Sequence, residues 1–242
     1  SGILGEDGVQ AAIEKIEKSR QDPSQRLVAI TANVIDADAI AKTLHDLVAT
    51  VGLPDLVINC AGVAKSSYAE MTPLEDFRWI MDIDYHGTVN VDQTLLPDFI
   101  ARGSGHIVNI SSLAGAVGVF GYTAYGGAKF AVRGYTDALR SEMKPRGIQV
   151  SCVYPPDTDT PQLAWENQFK PYETRLIAGS EKPLSADRVA KSIIRGIQKN
   201  KYTIVPGLEA KVLFLAAMHL GGLVYPVLDL LVKNAAKKKA AN

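Results

Sequence analysis

The chain alternates between short apolar runs and longer amphipathic stretches over most of its length. The apolar runs are rich in Val and Ile and lack polar alternation, which predicts strands buried on both faces. They are RLVAITANV (26–34), PDLVINCAG (54–62), GHIVNISS (105–112), IQVSCVYP (148–155) and KYTIVP (201–206).

Between these runs, apolar residues recur every three or four positions, and that spacing predicts amphipathic helices. The predicted helices cover residues 7–19, 36–51, 73–103, 124–147 and 185–200. Strand and helix follow one another in strict turn, which predicts an α/β fold with a doubly wound parallel sheet.

Ligands of such sheets bind beyond the carboxyl ends of the strands. Four segments share that rim: 33–34, 59–62, 111–112 and 154–161. The last, YPPDTDTP, is unusual, because two prolines end the strand and two acids and two hydroxyls follow. A plain turn needs only one glycine or proline, so we expect this loop to contribute to a ligand site.

Charge and cysteine content narrow the class of protein. The 26 Lys and Arg balance 26 Asp and Glu, so nothing in the overall charge argues for nucleic-acid binding. The four histidines are scattered and no metal site is predicted. Cys60 and Cys152 lie at or near the ends of apolar runs, and we expect reduced, packed thiols in a cytoplasmic protein.

The C-terminal part has a different character. Residues 212–228 contain no Asp, Glu, Lys or Arg, and four lysines follow: Lys233, Lys237, Lys238 and Lys239. Seventeen residues are short for a spanning helix, which needs about 20. The pattern fits an anchor at the cytoplasmic face of a membrane, through residues 212–232, or a buried or interface helix pair. We therefore divide the chain into a main domain, 1–206, and a C-terminal segment, 207–242.

The candidate catalytic side chains lie at the end of the third predicted strand and in the helix that follows it. Ser112 ends that strand, Tyr125 follows at the start of a helix, and Lys129 comes four residues later. Positions i and i+4 share one helix face, so the phenol and the ammonium group can approach each other. A neighbouring cation favours the phenolate and lowers the phenol pKa. A set of this kind can move a proton on or off an alcohol oxygen.

These residues, with the strand end NCAG (59–62), the strand IVNISS (107–112) and YGGAK (125–129), resemble the short-chain dehydrogenase/reductase family. The resemblance covers residues 6–206 and implies a Rossmann-type fold, NADPH as cofactor, and Ser112, Tyr125 and Lys129 as catalytic residues. It further implies a group of cofactor contacts: Asn33, Val34, Asn59, Ala61, Gly62, Tyr125, Lys129, Pro155, Thr158 and Thr160.

Within the family, YPPDTDTP and KPYETRLI (170–177) resemble the members that reduce the 3-keto group of a long-chain sphingoid base. This resemblance implies a sphingoid ketone substrate and a role in sphingolipid synthesis. Two alternatives remain open: reduction of another hydrophobic ketone, such as a steroid, retinal or fatty-acyl group, or a non-catalytic binding module.

The chain departs from the family pattern at two positions of the site. Asp84, in IDYHG, occupies the place of the family's catalytic asparagine, where an acid can still hold a water in a proton relay. Asn33 replaces an aspartate that contacts the adenine in relatives.

A third departure lies at the start. The family opens with a strand, a glycine-rich turn, a helix and a second strand, and we expect these to be missing from this sequence. Ser1, Gly2 and Ile3 match a fragment of the glycine-rich turn.

Two further expectations concern the surroundings of the site. Residues 162–180 contain Trp165, Phe169 and Tyr172 and are interpreted as a substrate lid, the alternative being an irregular surface connection. The helix around 82–96 and the helix after Tyr125 pair with another subunit in the family, so we expect a homodimer or homotetramer.

Overall fold

The computed structural model describes residues 6–178 and 182–240, and in this part helices and strands alternate. The helices are α1 (Glu6–Glu17), α2 (Ala37–Val51), α3 (Leu74–Met81), α4 (Gly87–Arg102), α5 (Thr123–Met143), α6 (Pro161–Glu166), α7 (Tyr172–Ala178), α8 (Ala186–Gln198), α9 (Leu208–His219) and α10 (Tyr225–Ala240). The strands are β1 (Leu56–Asn59), β2 (Gly105–Ile110), β3 (Ile148–Val153), β4 (Thr158–Asp159), β5 (Leu184–Ser185) and β6 (Thr203–Ile204). The three-residue fragment at 1–3 lies outside the described residues.

Four parallel strands form the main sheet in the order β1-β2-β3-β6, which confirms the predicted α/β class. The middle strands are the most deeply buried, because helices pack on them and their Val and Ile side chains form the core. A second, two-stranded parallel sheet pairs β4 with β5 and fixes the YPPDTDTP loop beside the main sheet. All ladders run parallel, so the strand ends meet at one rim.

The predicted strand at 26–34 is wrong. This run forms no ladder, and Val28 and Ile30 are 47% and 45% exposed. In the described part of the chain nothing pairs with it or with the outer edge of β1, where Ile58 is 41% exposed. A strand needs a partner for its backbone groups, so β-branched composition alone does not make one.

The predicted long helix at 73–103 is helical throughout but changes its winding in the middle. A π-helical turn, Asp82–His86, joins α3 to α4. Such a turn inserts an extra residue into the α-helical ladder and is frequent at functional sites. Here it lies directly over α5 and turns Asp84 into the protein, where the residue is fully buried.

The C-terminal helices bury only part of their apolar surface. Ala210 and Phe214 of α9 pack on Tyr154 and Cys152 of the sheet, and α10 packs on α7. Most other apolar side chains of α9, α10 and the turn between them stay exposed: Leu208, Val212, Leu213, Leu215, Met218, Leu220, Leu223, Tyr225, Val227, Leu230 and Leu231.

Both cysteines are free thiols. Cys152 is buried near the end of β3, as predicted, but Cys60 is exposed. The expectation of packing is wrong for Cys60 because it follows the last residue of β1 at the open rim of the sheet.

Candidate active site

The sheet rim and the start of α5 bring together the three residues of the predicted proton-transfer set. Ser112 follows β2 and accepts a hydrogen bond from the Ala114 amide at 3.2 Å, which fixes its side chain at the strand end. Its hydroxyl is near enough to the Tyr125 phenol to lower the phenol pKa. One turn further along α5, the Lys129 ammonium lies 5.6 Å from the centre of the Tyr125 ring.

Asp84 completes this group through an ion pair that sequence spacing alone did not reveal. Its Oδ2 lies 3.1 Å from Lys129 Nζ, and its Oδ1 accepts a hydrogen bond from the Val63 amide at 2.7 Å. Lys129 Nζ also donates to the Ile110 carbonyl at 3.1 Å. Both charged side chains are almost completely buried, so each holds the other in place.

Burial controls the protonation of the Tyr125 phenol. It raises the pKa of Tyr125, and the Asp84 and Glu166 carboxylates act in the same direction, while Lys129 and Ser112 lower it. The sequence predicted a lowered pKa, and the net direction is the opposite. Tyr125 is therefore protonated at neutral pH, the state in which a phenol can give a proton to an oxygen.

The ion pair itself shows the same competition. Burial raises the pKa of Asp84 although Lys129 and the Val63 amide oppose it. Burial also disfavours the ammonium form of Lys129, but the Asp84 carboxylate and the Tyr125 phenol outweigh it and raise the pKa of Lys129. Lys129 thus keeps its charge in a dry site.

The end of β1 provides a small, open surface next to this ion pair. Ala61 is exposed, and a Cβ atom on Gly62 would lie 3.2 Å from Lys129 Nζ and 3.4 Å from Asp84 Oδ1. The backbone here approaches the charged groups more closely than a larger residue would allow.

Asn59, the last residue of β1, turns its side chain inward. Its amide group donates to Asp92 Oδ1 at 2.6 Å and to Asn109 Oδ1 at 2.8 Å. Asn109 in turn donates to Asp92 and to Thr136. Burial raises the pKa of Asp92 to about 6. This polar network lies below the rim and connects β1, β2, α4 and α5, so the Asn59 side chain stabilises the packing of these elements.

The remaining predicted cofactor contacts lie in two loops. Asn33 is exposed, whereas Val34 packs on Gly87 and its carbonyl accepts a hydrogen bond from Asn90. On the other side, the Pro155 carbonyl accepts a hydrogen bond from the Leu113 amide at 3.1 Å, which fixes the YPPDTDTP loop beside Ser112.

The two threonines of the YPPDTDTP loop are tied to the loop itself. Thr158 Oγ1 donates to the Pro156 carbonyl at 2.9 Å. Thr160 is the N-cap of α6, because its hydroxyl accepts from the Leu163 amide at 3.3 Å. Both hydroxyls therefore shape the loop.

A second cluster of charged groups was missed at the sequence level. The Tyr122 phenol donates to Glu166 Oε1, Lys170 Nζ lies 3.5 Å from the same oxygen, and Lys170 Nζ donates to Asp157 Oδ2 at 3.0 Å. The Tyr122 and Tyr125 rings are 5.7 Å apart. The only signal in the sequence is the spacing of Tyr122, one helical turn before Tyr125.

The described part of the predicted lid, 162–178, forms the short helices α6 and α7, and 179–180 lie outside the described residues. The segment is therefore helical and not irregular, and its role as a lid stays a prediction. Trp165 packs edge-on against Phe169 and Trp79, with centroid distances of 4.8 and 6.3 Å. Thr174 donates to the Phe120 carbonyl at 3.0 Å, so α7 is pinned to the loop that precedes Tyr122.

Comparison with known proteins gives one family. Residues 4–170 match the family model described as short chain dehydrogenase. A structure of a short-chain dehydrogenase from Streptomyces avermitilis shares the fold, with a TM-score of 0.73 and 24% identity over 96% of this chain and 86% of that one. The structure described as ElxO with NADP bound has a TM-score of 0.65 and 25% identity, over 73% of this chain and 75% of that one.

Three similar curated proteins carry the name 3-ketodihydrosphingosine reductase. The Bos taurus protein is 35% identical over 86% of this chain and 63% of its own length. The Mus musculus protein is 38% identical, over 81% and 59%. The Dictyostelium discoideum protein is 42% identical, over 75% and 55%. This chain therefore spans less than two thirds of each of these relatives.

Proposed function

Because this chain belongs to the short-chain dehydrogenase family, we propose that it is an NADPH-dependent reductase of 3-ketodihydrosphingosine that acts in sphingolipid synthesis. The observation that carries the proposal is the group formed by the part-buried Ser112 and Tyr125 and the buried ion pair of Lys129 and Asp84. The names of the relatives support the substrate class.

In this proposal each residue has one role. Ser112 donates a hydrogen bond to the carbonyl oxygen of the substrate. Tyr125, which is protonated at neutral pH, gives its proton to that oxygen as negative charge develops there. Lys129 stabilises the phenolate that remains, and Asp84 keeps the Lys129 ammonium in position through the 3.1 Å ion pair.

The rim fits a nicotinamide cofactor. The small residues Ala61 and Gly62 leave the backbone at the end of β1 open beside Lys129, whose ammonium group can donate to a ribose hydroxyl. The exposed Asn33 is proposed to contact the adenine end, and Val34 and the Pro155–Thr160 loop to border it. When bound, the cofactor supplies the hydride that reduces the ketone.

The substrate is a long-chain lipid, and the lid and C-terminal helices suit such a molecule. We propose that α6 and α7 cover the acyl chain near Tyr125, since Trp165 of α6 packs against Trp79 and Thr174 ties α7 to the Phe120 carbonyl. Among the described residues, no helix is both long and apolar enough to cross a bilayer.

We further propose that α9 and α10 bind a membrane surface through residues 212–232. Leu223 and Val227 are 72% and 61% exposed, and Lys237 and Lys238 follow in the last turn of α10. Apolar side chains next to lysines suit the boundary between acyl chains and anionic headgroups. The Leu223→Asp, Val227→Asp double variant should lose co-sedimentation with anionic vesicles. Retained binding would contradict the membrane role.

The outer faces of α4 and α5 are the surfaces through which we expect a second subunit to bind, giving a homodimer or homotetramer. Light scattering of the purified protein measures this directly, and a monomer at micromolar concentration would contradict it.

The experiment that tests the function is turnover. Purified protein is mixed with NADPH and 3-ketodihydrosphingosine in mixed micelles, and cofactor oxidation is followed by absorbance. Oxidation with NADPH exceeding that with NADH is the expected result. Cofactor binding without turnover would move the assignment to another hydrophobic ketone, tested with steroid, retinal and fatty-acyl substrates. Absence of cofactor binding would favour a non-catalytic binding module.

A further inference from the structure

The lid helix α6 places a buried carboxylate next to the proton donor, and the proton-transfer set does not use it. Glu166 is only 6% exposed. It accepts the hydrogen bond of Tyr122, whose ring lies 5.7 Å from the Tyr125 ring, and its charge contributes to the raised pKa of Tyr125. Glu166 therefore lies next to the proposed proton donor, with only the Tyr122 side chain as its link to the Tyr125 ring.

The charges around Glu166 do not cancel. Among the described residues, the carboxylates of Glu166 and of the 41%-exposed Asp157 both pair with Lys170, and the phenol of Tyr122 is neutral. Burial raises the pKa of Tyr122 and the Glu166 carboxylate adds to the effect, so the phenol does not ionise. The Asp84–Lys129 pair beside it is balanced. With both carboxylates ionised, the described residues of this cluster carry one more negative than positive charge.

We propose that Glu166 and the face of Tyr122 bind the ammonium group of an aminoketone substrate. This inference rests on the proposed function, because a 3-ketosphingoid base carries its amine on the carbon next to the keto carbon. When the carbonyl oxygen lies against Tyr125, the amine nitrogen is two bonds away from the reacting carbon, within the reach of a group that adjoins Tyr125 through the Tyr122 ring. A carboxylate combined with an aromatic face is a suitable environment for an ammonium ion.

The arrangement also accounts for Lys170. A lone buried carboxylate would be protonated and would lose its attraction for a cation. Burial raises the pKa of Glu166, while the hydrogen bond from Tyr122 and the charge of Lys170 lower it. The net direction is upward, because burial together with the Asp157 carboxylate outweighs these two groups. A bound ammonium group would add a second cation that favours the ionised form of Glu166.

The test compares two ketones that differ only in the amine: 3-ketodihydrosphingosine and the same chain with hydrogen in place of the 2-amino group. The wild-type protein should prefer the aminoketone in kcat/KM by at least about tenfold, which is what one hydrogen bond to a charged group contributes. The Glu166→Gln variant keeps the size of the side chain and can still accept from Tyr122. It should reduce this preference to near unity, mainly through KM for the aminoketone.

Glu173→Gln is the matched control. Glu173 is equally buried on the neighbouring lid helix, but it pairs with Tyr68 and Lys239. Its variant should keep the wild-type preference. A loss shared equally by both ketones in Glu166→Gln, or a wild type that does not distinguish them, would overturn the inference and leave the function intact. Absence of turnover with the aminoketone would overturn the proposed function and the inference with it.

Discussion

Two regions of this molecule contain the same three kinds of side chain in contact, and they differ in how deeply the lysine is buried. At the sheet rim, Lys129 lies over Tyr125 and pairs with Asp84. At the C-terminal end of α10, Lys239 lies 4.7 Å from the centre of the Tyr68 ring and pairs with Glu173 at 3.2 Å. Each set is a lysine, a tyrosine and an acid.

The acid responds in opposite ways in the two sets. Burial raises the pKa of Asp84 in spite of its lysine. Burial acts in the same direction on Glu173, but the hydrogen bonds from Tyr68 and Lys239 outweigh it and lower the pKa of Glu173. Lys239 is 47% exposed, whereas Lys129 is 5% exposed at its side chain. The residue types alone therefore do not define a reactive centre, since desolvation decides what they do.

The largest difference should appear on removal of the two phenols. Tyr125→Phe deletes the proposed proton donor, and kcat should fall by roughly 10²–10⁴-fold while NADPH is still bound. Tyr68→Phe is the matched change in the set of Lys239, Tyr68 and Glu173, and it should keep kcat within about threefold of wild type. Steady-state kinetics and cofactor titration measure kcat and NADPH binding of both variants. A Tyr125→Phe protein with wild-type activity would contradict the assignment of Tyr125 as the proton donor.

The second-largest difference is expected in the free energy of unfolding when the charge of each acid is removed. Asp84→Asn leaves the Lys129 ammonium buried without its counter-ion, which is expected to reduce the free energy of unfolding by about 3–5 kcal/mol. The corresponding Glu173→Gln change leaves a half-exposed lysine that water can solvate, so its effect should be several times smaller. Urea denaturation of both variants gives the comparison, and equal losses would show that depth is not the cause.

The pH dependence of turnover tests how Asp84 acts on the pKa of Tyr125. The pKa of Tyr125 is raised above its ordinary value of 10, so ketone reduction should be flat through neutral pH and fall only above pH 10. Oxidation of the product alcohol needs the phenolate and should rise with pH. Asp84 is one cause of the raised pKa, so in Asp84→Asn the rise should begin at lower pH. A shift to higher pH would contradict the electrostatic account.

The smallest effect is expected for Lys239→Ala. This change removes the ion pair and the cation–π contact that hold α10 against α7, and exposed pairs of this kind contribute little. Turnover should stay within about threefold of wild type, while amide hydrogen exchange at the end of α10 should increase. Unchanged exchange would mean that apolar packing alone docks α10.

Periodicity was sufficient for the parts of the fold that are self-contained. The strands β2 and β3 and helix α5 could be predicted because their apolar residues face a core that the same segments build. The strand at 26–34 could not be excluded, since its Val and Ile content is the same and only a missing ladder partner distinguishes it.

Most of the site could also be predicted from the sequence, because strand ends of a parallel sheet and an i, i+4 pair on a helix are local signals. Glu166 and Lys170 were not, since they reach Tyr122 from a separate lid helix whose docking has no periodic signature. The pKa direction of Tyr125 was wrong for a related reason: the sequence shows the lysine but not the depth.

The π-helical turn at Asp82–His86 has a consequence for how such a site can change. Successive residues of a helix are rotated by about 100°, so the turn acts as a one-residue phase shift between α3 and α4. Deleting one residue there would restore an ordinary helix and rotate Asp84 away from Lys129, without altering the composition of either helix. The identity of the acid and the length of this helix are therefore separate determinants of the site, and two homologues with the same residues but a single gap here would differ in their proton chemistry.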